Sequence, residues 1–263
     1  QGRTACQGEY HRHCYPTSLS YITPHHYPLP AMSIKKHIPN MLTAGNLLSG
    51  SLALVFTLHQ GRPDIAAWLI VLSAVFDFFD GLVARMLGVA SPIGKDLDSL
   101  ADVVSFGLAP AGLVYYGLYQ IDPDNVLNYG VFLIVAFAAL RLAKFNNDTR
   151  QSTSFLGLPV PSNALFWLGA SAALPSFALS IGALPTLITY LVLTVILSLL
   201  MVSELPMFSF KLSKAPLSAL WRQIFLVLFA VVAVVLQGWF GCSLTIIIYL
   251  ILSLLPEPQA KKA

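Results

Sequence analysis

Charge is what this sequence has least of. Asp, Glu, Lys and Arg make up 10% of its 263 residues, against 56% apolar residues and a mean hydropathy of +0.73. Soluble domains carry about 25% charged residues. A chain with so little charge cannot cover a water-facing surface, so its apolar excess must face lipid. Cysteine is also scarce. Cys6, Cys14 and Cys242 offer neither a disulfide framework nor a zinc-ligand spacing. Four of the six histidines (His11, His13, His25, His26) lie near the N-terminus, leaving His37 and His59, so histidine-based catalysis has few candidates. A net charge of +3, with no basic run interleaved with aromatics, gives no footing for a nucleic-acid partner.

Residues 1–31 are unlike the rest of the chain. They are rich in His, Tyr and Pro and contain no apolar run long enough for a signal-peptide core. Met32 opens Met-Ser-Ile-Lys-Lys-His, which reads as a natural start ahead of a membrane helix. The expectation is a non-native or disordered extension over 1–31 and one membrane domain over 32–263. A His/Cys metal-binding tail is the alternative, although its spacing fits no standard site.

From residue 41 onward, apolar segments alternate with short polar breaks. Helices are expected near 41–59, 64–88, 96–121, 126–146, 158–179, 184–201, 220–238 and 242–255. Gly-Arg-Pro-Asp at 61–64, Asp-Pro-Asp-Asn at 122–125 and Gly-Leu-Pro at 157–159 mark breaks. The expected fold is therefore an all-α bundle of about eight transmembrane helices, with six as the alternative. Outside the first 31 residues, twelve basic residues fall at one set of connections and only Arg62 at the other. That asymmetry puts both termini in the cytoplasm and requires an even number of spans.

The acids are sorted too. Asp77, Asp80, Asp96, Asp98 and Asp102 lie within 26 residues, five of the twelve acids in the chain. Asp77 and Asp80 fall inside an otherwise apolar helix. A carboxylate at membrane depth costs several kcal/mol unless partnered, which makes it a functional candidate. Asp77 and Asp80 are i,i+3 and Asp98 and Asp102 are i,i+4, so each pair shares a helix face. With the expected spans, both pairs sit at one level beneath the cytoplasmic surface. Four clustered carboxylates suit hard divalent cations such as Mg²⁺ or Mn²⁺. A helix cap, an ion pair with Arg85, and a cation or proton transport site are the competing readings. Gly81, Gly94 and Arg85 favour phosphoryl chemistry, since glycine admits a phosphate close to the backbone and arginine matches it.

The stretch Asp77-Phe-Phe-Asp80-Gly81-Leu-Val-Ala84-Arg85, followed by Gly94, Asp98 and Asp102, fits the pattern D-x2-D-G-x2-A-R-x8-G-x3-D-x3-D at all eight positions. It resembles the signature of the CDP-alcohol phosphatidyltransferases. Within that family the chain is similar to the membrane-spanning bacterial members that use serine. The supporting stretches are Ile38-Pro-Asn40-Met-Leu-Thr43-Ala-Gly-Asn46, residues 91–107, Arg141-Leu-Ala-Lys144-Phe-Asn146 and Phe155-Leu-Gly-Leu-Pro-Val-Pro161.

The resemblance implies transfer of a phosphatidyl group from CDP-diacylglycerol to the hydroxyl of L-serine, with release of CMP. It implies two divalent metals (Mg²⁺ or Mn²⁺) on Asp77, Asp80, Asp98 and Asp102, with Asp98 catalytic and Asp102 also the general base. Gly81, Ala84, Arg85 and Gly94 would line the CDP-lipid site. Asn40, Thr43 and Asn46 would contribute hydrogen bonds, although Asn40 also reads as a plain helix N-terminus. Arg141, Lys144 and Asn146 would bind serine, the two cations being equally readable as topogenic charge. A homodimer in the bacterial cytoplasmic membrane, with its site on the cytoplasmic side, is the implied setting.

Overall fold

The computed structural model describes residues 37–89, 91–147, 155–207 and 220–255. The expectations for residues 1–31 lie outside these. Nine α-helices account for most of the described chain: α1 His37–Leu58, α2 Pro63–Leu87, α3 Pro92–Asp102, α4 Ala109–Ile121, α5 Leu133–Asn147, α6 Val160–Ile181, α7 Ala183–Val202, α8 Trp221–Gln237 and α9 Phe240–Leu254. A π-helical segment, Val103–Leu108, joins α3 to α4, and a 3-10 segment, Val126–Phe132, leads into α5. Each join makes one continuous rod, Pro92–Ile121 and Val126–Asn147.

Among the described residues, six helical rods are long and apolar enough to cross a membrane: α1, α2, α3–α4, Val126–Asn147, α6 and α7. The chain is therefore multi-pass. The apolar helices α8 and α9 are shorter, at 17 and 15 residues. At 1.5 Å per residue they are ~23–26 Å long, a little under a ~30 Å hydrocarbon core.

Local chemistry accounts for the boundaries. α3 starts at Pro92, four residues ahead of the expected 96. Ser91 caps it by accepting from the Gly94 amide at 3.0 Å, and Pro92 occupies the first turn, where no amide hydrogen is needed. Asp102 therefore lies ten residues into its helix rather than six, ~15 Å along the axis. Pro110 is absorbed by the π-helical segment before it, whose wider turn lets the Ala109 amide reach Val104 O. α2 ends at Gly88, whose φ of +63° is the left-handed cap conformation. A two-stranded antiparallel pair, Phe155–Leu156 with Pro206–Met207, ties the start of α6 to the end of α7.

Packing fixes the part of the bundle that carries the acids. α1 lies against α2 and against the π-helical segment. At Gly50 the approach is so close that a Cβ would stand 2.5 Å from Ser105 Cα. One turn earlier, the backbone carbonyl of Asn46 accepts from Ser73 Oγ of α2 at 3.1 Å and from Ser105 Oγ at 2.9 Å. Three segments thus meet at one oxygen in the interior. The main core surrounds fully buried Trp167 and Phe106. Tyr190 completes its hydrogen bonding there by donating to Ala170 O at 2.6 Å. Outward faces stay apolar, with Leu228, Val231 and Val235 of α8 exposed.

Candidate active site

α2 carries Asp77 and Asp80 on one face, and α3 carries Asp98 and Asp102. The two faces meet. Carboxylate oxygens of Asp77, Asp98 and Asp102 lie within 4.8 Å of one another. Asp80 and Asp102 are buried, Asp77 and Asp98 half-buried. Asp80 belongs to the same neighbourhood but turns toward α1, where Thr43 Oγ1 donates to its Oδ2 at 2.7 Å. Asn46 Nδ2, one turn along α1, donates to Asp102 Oδ1 at 3.3 Å.

A cavity of about 210 Å³ opens beside this cluster. Pro39, Asn40 and Thr43 of α1 line it, with Asp80, Gly81 and Ala84 of α2, and Gly94, Lys95 and Asp98 of α3. Five of the seven expected CDP-lipid residues are thus in its wall: Asn40, Thr43, Gly81, Ala84 and Gly94. Asn46 lies deeper, on Asp102. Arg85 is exposed on the open side of α2, with Nε donating back to Gly81 O at 2.9 Å. Ser91 and Lys95 also line the cavity, beyond the residues expected there. The Ser-Pro cap signature at 91–92 carried the signal for Ser91.

The residues fit a divalent metal on three counts. Three carboxylates from two helices converge at ligand spacing. The buried Oδ1 of Asn46, beside Asp102, has no hydrogen-bond partner. A Cβ placed on Gly81 would meet nothing within 4 Å, so the wall there is hollow on the cavity side. Hard oxygen donors in this density suit Mg²⁺ or Mn²⁺ rather than a soft metal.

The expected serine-binding residues of α5 do different things. Arg141 is buried, stacks 5.1 Å above the Phe145 ring and lies within electrostatic reach of Asp102 and of Tyr249 on α9. Lys144 reaches away, donating to Val202 O at 3.0 Å with Glu204 at 3.7 Å. Asn146 joins the ends of α5 and α3. Its Nδ2 donates to Ser99 Oγ at 2.8 Å, and its carbonyl accepts from Lys95 Nζ at 3.0 Å. Of the three, Arg141 is the one whose charge interacts with an aspartate of the cluster, Asp102.

Comparison with known proteins places the whole described domain in a family. The family profile described as CDP-alcohol phosphatidyltransferase matches residues 36–255. A protein of Methanocaldococcus jannaschii named CDP-diacylglycerol–serine O-phosphatidyltransferase is 33% identical over 194 residues, covering 74% of this chain and 80% of that one. Proteins of the same name from Bacillus subtilis and Helicobacter pylori (strain J99) are 39% and 38% identical over 127 and 130 residues. Those matches cover 48% of this chain, and 70% and 54% of the relatives. The match thus spans only about half the length of the Helicobacter relative. A profile that covers most of the chain, with both aspartate pairs inside the matched range, leaves one assignment: the chain belongs to the CDP-alcohol phosphatidyltransferase family.

Proposed function

We propose that this chain transfers the phosphatidyl group of CDP-diacylglycerol to L-serine, giving phosphatidylserine and CMP. The observation that carries this reading is the convergence of Asp77, Asp98 and Asp102 within 4.8 Å beside a cavity floored by Gly81. The serine acceptor is supported by the names of the relatives and by a buried cation, Arg141, within electrostatic reach of Asp102.

In this reading Asp77, Asp80, Asp98 and Asp102 hold two divalent ions, Mg²⁺ or Mn²⁺. When bound, such ions supply charge neutralisation and Lewis acidity at the pyrophosphate. The chain's own residues do the rest. Thr43 and Asn46 fix the orientation of Asp80 and Asp102 through the hydrogen bonds described above. Gly81, Ala84 and Gly94 leave room for the cytidine diphosphate, with Asn40 at the rim and Arg85 supplying a cation outside. Asp102 accepts the proton of the serine hydroxyl as the new oxygen–phosphorus bond forms. The bond from that phosphorus to the CMP oxygen breaks, and CMP leaves with the electron pair. A carboxylate is a weak base for an alcohol, so proton transfer accompanies bond formation rather than preceding it. Arg141 holds the serine carboxylate, while Lys144 and Asn146 build the wall behind it by fixing the ends of α7 and α3.

The setting proposed is a bacterial cytoplasmic membrane, with eight spans (α8 and α9 crossing as well as the six longer rods). Both termini and the aspartate site face the cytoplasm, and two chains pair. The test is an acceptor screen. Purified protein with CDP-diacylglycerol and Mn²⁺ or Mg²⁺ is expected to release CMP only when L-serine is added. Release with glycerol 3-phosphate or inositol, and none with serine, would overturn the serine assignment.

A further inference from the structure

A second, larger cavity of about 690 Å³ lies at the opposite end of the bundle. Its walls come from α2 (Pro63, Asp64, Ala67), the last turns of α4 (Leu113 to Ile121), the second half of α6, and Trp239 at the α8–α9 turn. On α2, Asp64 and Asp80 are 16 residues apart, ~24 Å along the helix. The cavity therefore shares nothing with the acidic cluster.

Its shape and chemistry are specific. The floor is apolar and buried, formed by Ala67, Leu113 and Leu168. One edge is open, because Ala172, Pro175 and Leu179 line it and are all exposed. They stand at i, i+3 and i+7, a single strip along α6. The crevice thus opens sideways, along this exposed strip of α6. From Leu168 to Leu179 is eleven residues, ~16 Å of rise, close to the hydrocarbon depth of one leaflet, about half of ~30 Å.

The upper rim is polar, with Asp64 and Gln120 exposed. Asp64 takes a two-point ion pair from the exposed Arg62, at 3.1 Å to Nε and 2.9 Å to Nη2. Trp239 packs edge-to-face on exposed Trp68 at 4.9 Å. Tryptophans in such a position mark the headgroup level. An apolar slot one leaflet deep, open to the side and topped by a neutral charge pair, matches a lipid hung from that interface.

We propose that this crevice binds one acyl chain of a zwitterionic phospholipid of the leaflet remote from the aspartates. The lipid's phosphate lies against Arg62 and its ammonium against Asp64. The lipid is a bound structural partner rather than the substrate, whose diphosphate belongs at the other end of the bundle.

The test uses the full chain in nanodiscs containing phosphatidylethanolamine with a photoreactive diazirine in one acyl chain. Adducts are expected to concentrate on segments 113–121 and 168–179, at least fivefold over α8. Equal labelling of Leu228 and Val235, which face lipid outside the crevice, would overturn the proposal. So would equal labelling of the crevice by a phosphatidylglycerol probe. Ala172→Phe, which fills the slot, is expected to cut crevice adducts at least fivefold while serine-dependent CMP release persists. Unchanged adducts in that variant, or loss of self-association with no lipid adduct in the parent, would overturn it in favour of general lipid contact or a second copy. The wild-type labelling decides the matter even where the variant fails to fold.

Discussion

The hydroxyl of Thr43 stands 2.7 Å from Asp80 Oδ2, across the contact between α1 and α2. The same hydroxyl is also within reach of Pro39 O, at 3.1 Å. A hydroxyl has one proton, and the shorter, charge-assisted bond to the carboxylate claims it. Thr43 therefore orients the one aspartate of the four that stands apart from the three-carboxylate group. Thr43→Val keeps the shape and removes the donor. Losing a bond of this kind is worth ~1–2 kcal/mol, or roughly a 5- to 30-fold rise in the metal concentration for half-maximal CMP release. Thr43→Ser should restore it. A metal titration of Thr43→Val that overlays the wild type would show that the bond does not support metal binding.

Asp102 is assigned two roles, so its loss should be the more severe. Asp102→Asn removes a ligand and the proton acceptor while keeping the hydrogen-bonding shape beside Asn46. Removing a general base alone costs ~10²–10⁴-fold in rate. Asp98→Asn should also lose turnover, and chelation with EDTA should mimic both and be reversed by Mn²⁺ or Mg²⁺. Both variants are expected to remain folded in the membrane, since clustered carboxylates repel and removing one charge relieves them. Retained turnover in either variant would refute the two-metal site.

Two glycines on neighbouring helices separate substrate room from helix packing. A Cβ on Gly81 meets nothing within 4 Å, whereas one on Gly50 stands 2.5 Å from Ser105 Cα. Gly81→Val should leave thermal stability near wild type and raise KM for the CDP-lipid. Gly50→Ala must push α1 off the π-helical segment, at a cost of ~1–3 kcal/mol. It should lower the melting temperature and weaken activity by moving Asn46 away from Asp102. Thermal melts in detergent, run beside KM measurements, check both. A reversed pattern would mean that the cavity at Gly81 is not where the nucleotide lies.

The aspartates were legible because a carboxylate inside an apolar run has few reasons to be there, and their i,i+3 and i,i+4 spacings fixed the faces. The six long rods were legible from hydropathy alone. The parts that hold Asp102 in place were not. Ser73 and Ser105 are small polar residues with no distinctive spacing, and their shared bond to the Asn46 carbonyl exists only once three segments meet. The start of α3 falls earlier than expected because Lys95 and Asp96 look like loop, although the Ser91 cap and Pro92 override them. The far crevice left no trace in the sequence, since its lining is ordinary apolar helix and its form comes from how α2, α4 and α6 splay.

Arg141 and Lys144 show the same limit, and they yield the last prediction. Three residues apart on α5, they look interchangeable as partners for a carboxylate. Arg141 is instead buried against Phe145, close to Asp102, while Lys144 is engaged with Val202 O and Glu204 at the end of α7. If Arg141 holds the serine carboxylate, Arg141→Gln should raise KM for serine roughly 10- to 100-fold, the value of a hydrogen bond to a charged group. KM for CDP-diacylglycerol should change little. Arg141→Lys should fall between, because an ammonium keeps the charge and loses the planar two-point fit. Lys144→Ala gives up a half-exposed ion pair, worth at most ~1 kcal/mol, and should leave KM for serine unchanged. Steady-state kinetics with each substrate varied in turn separates these outcomes. An increase in serine KM for Lys144→Ala but not for Arg141→Gln would move the carboxylate pocket to the α7 end of α5.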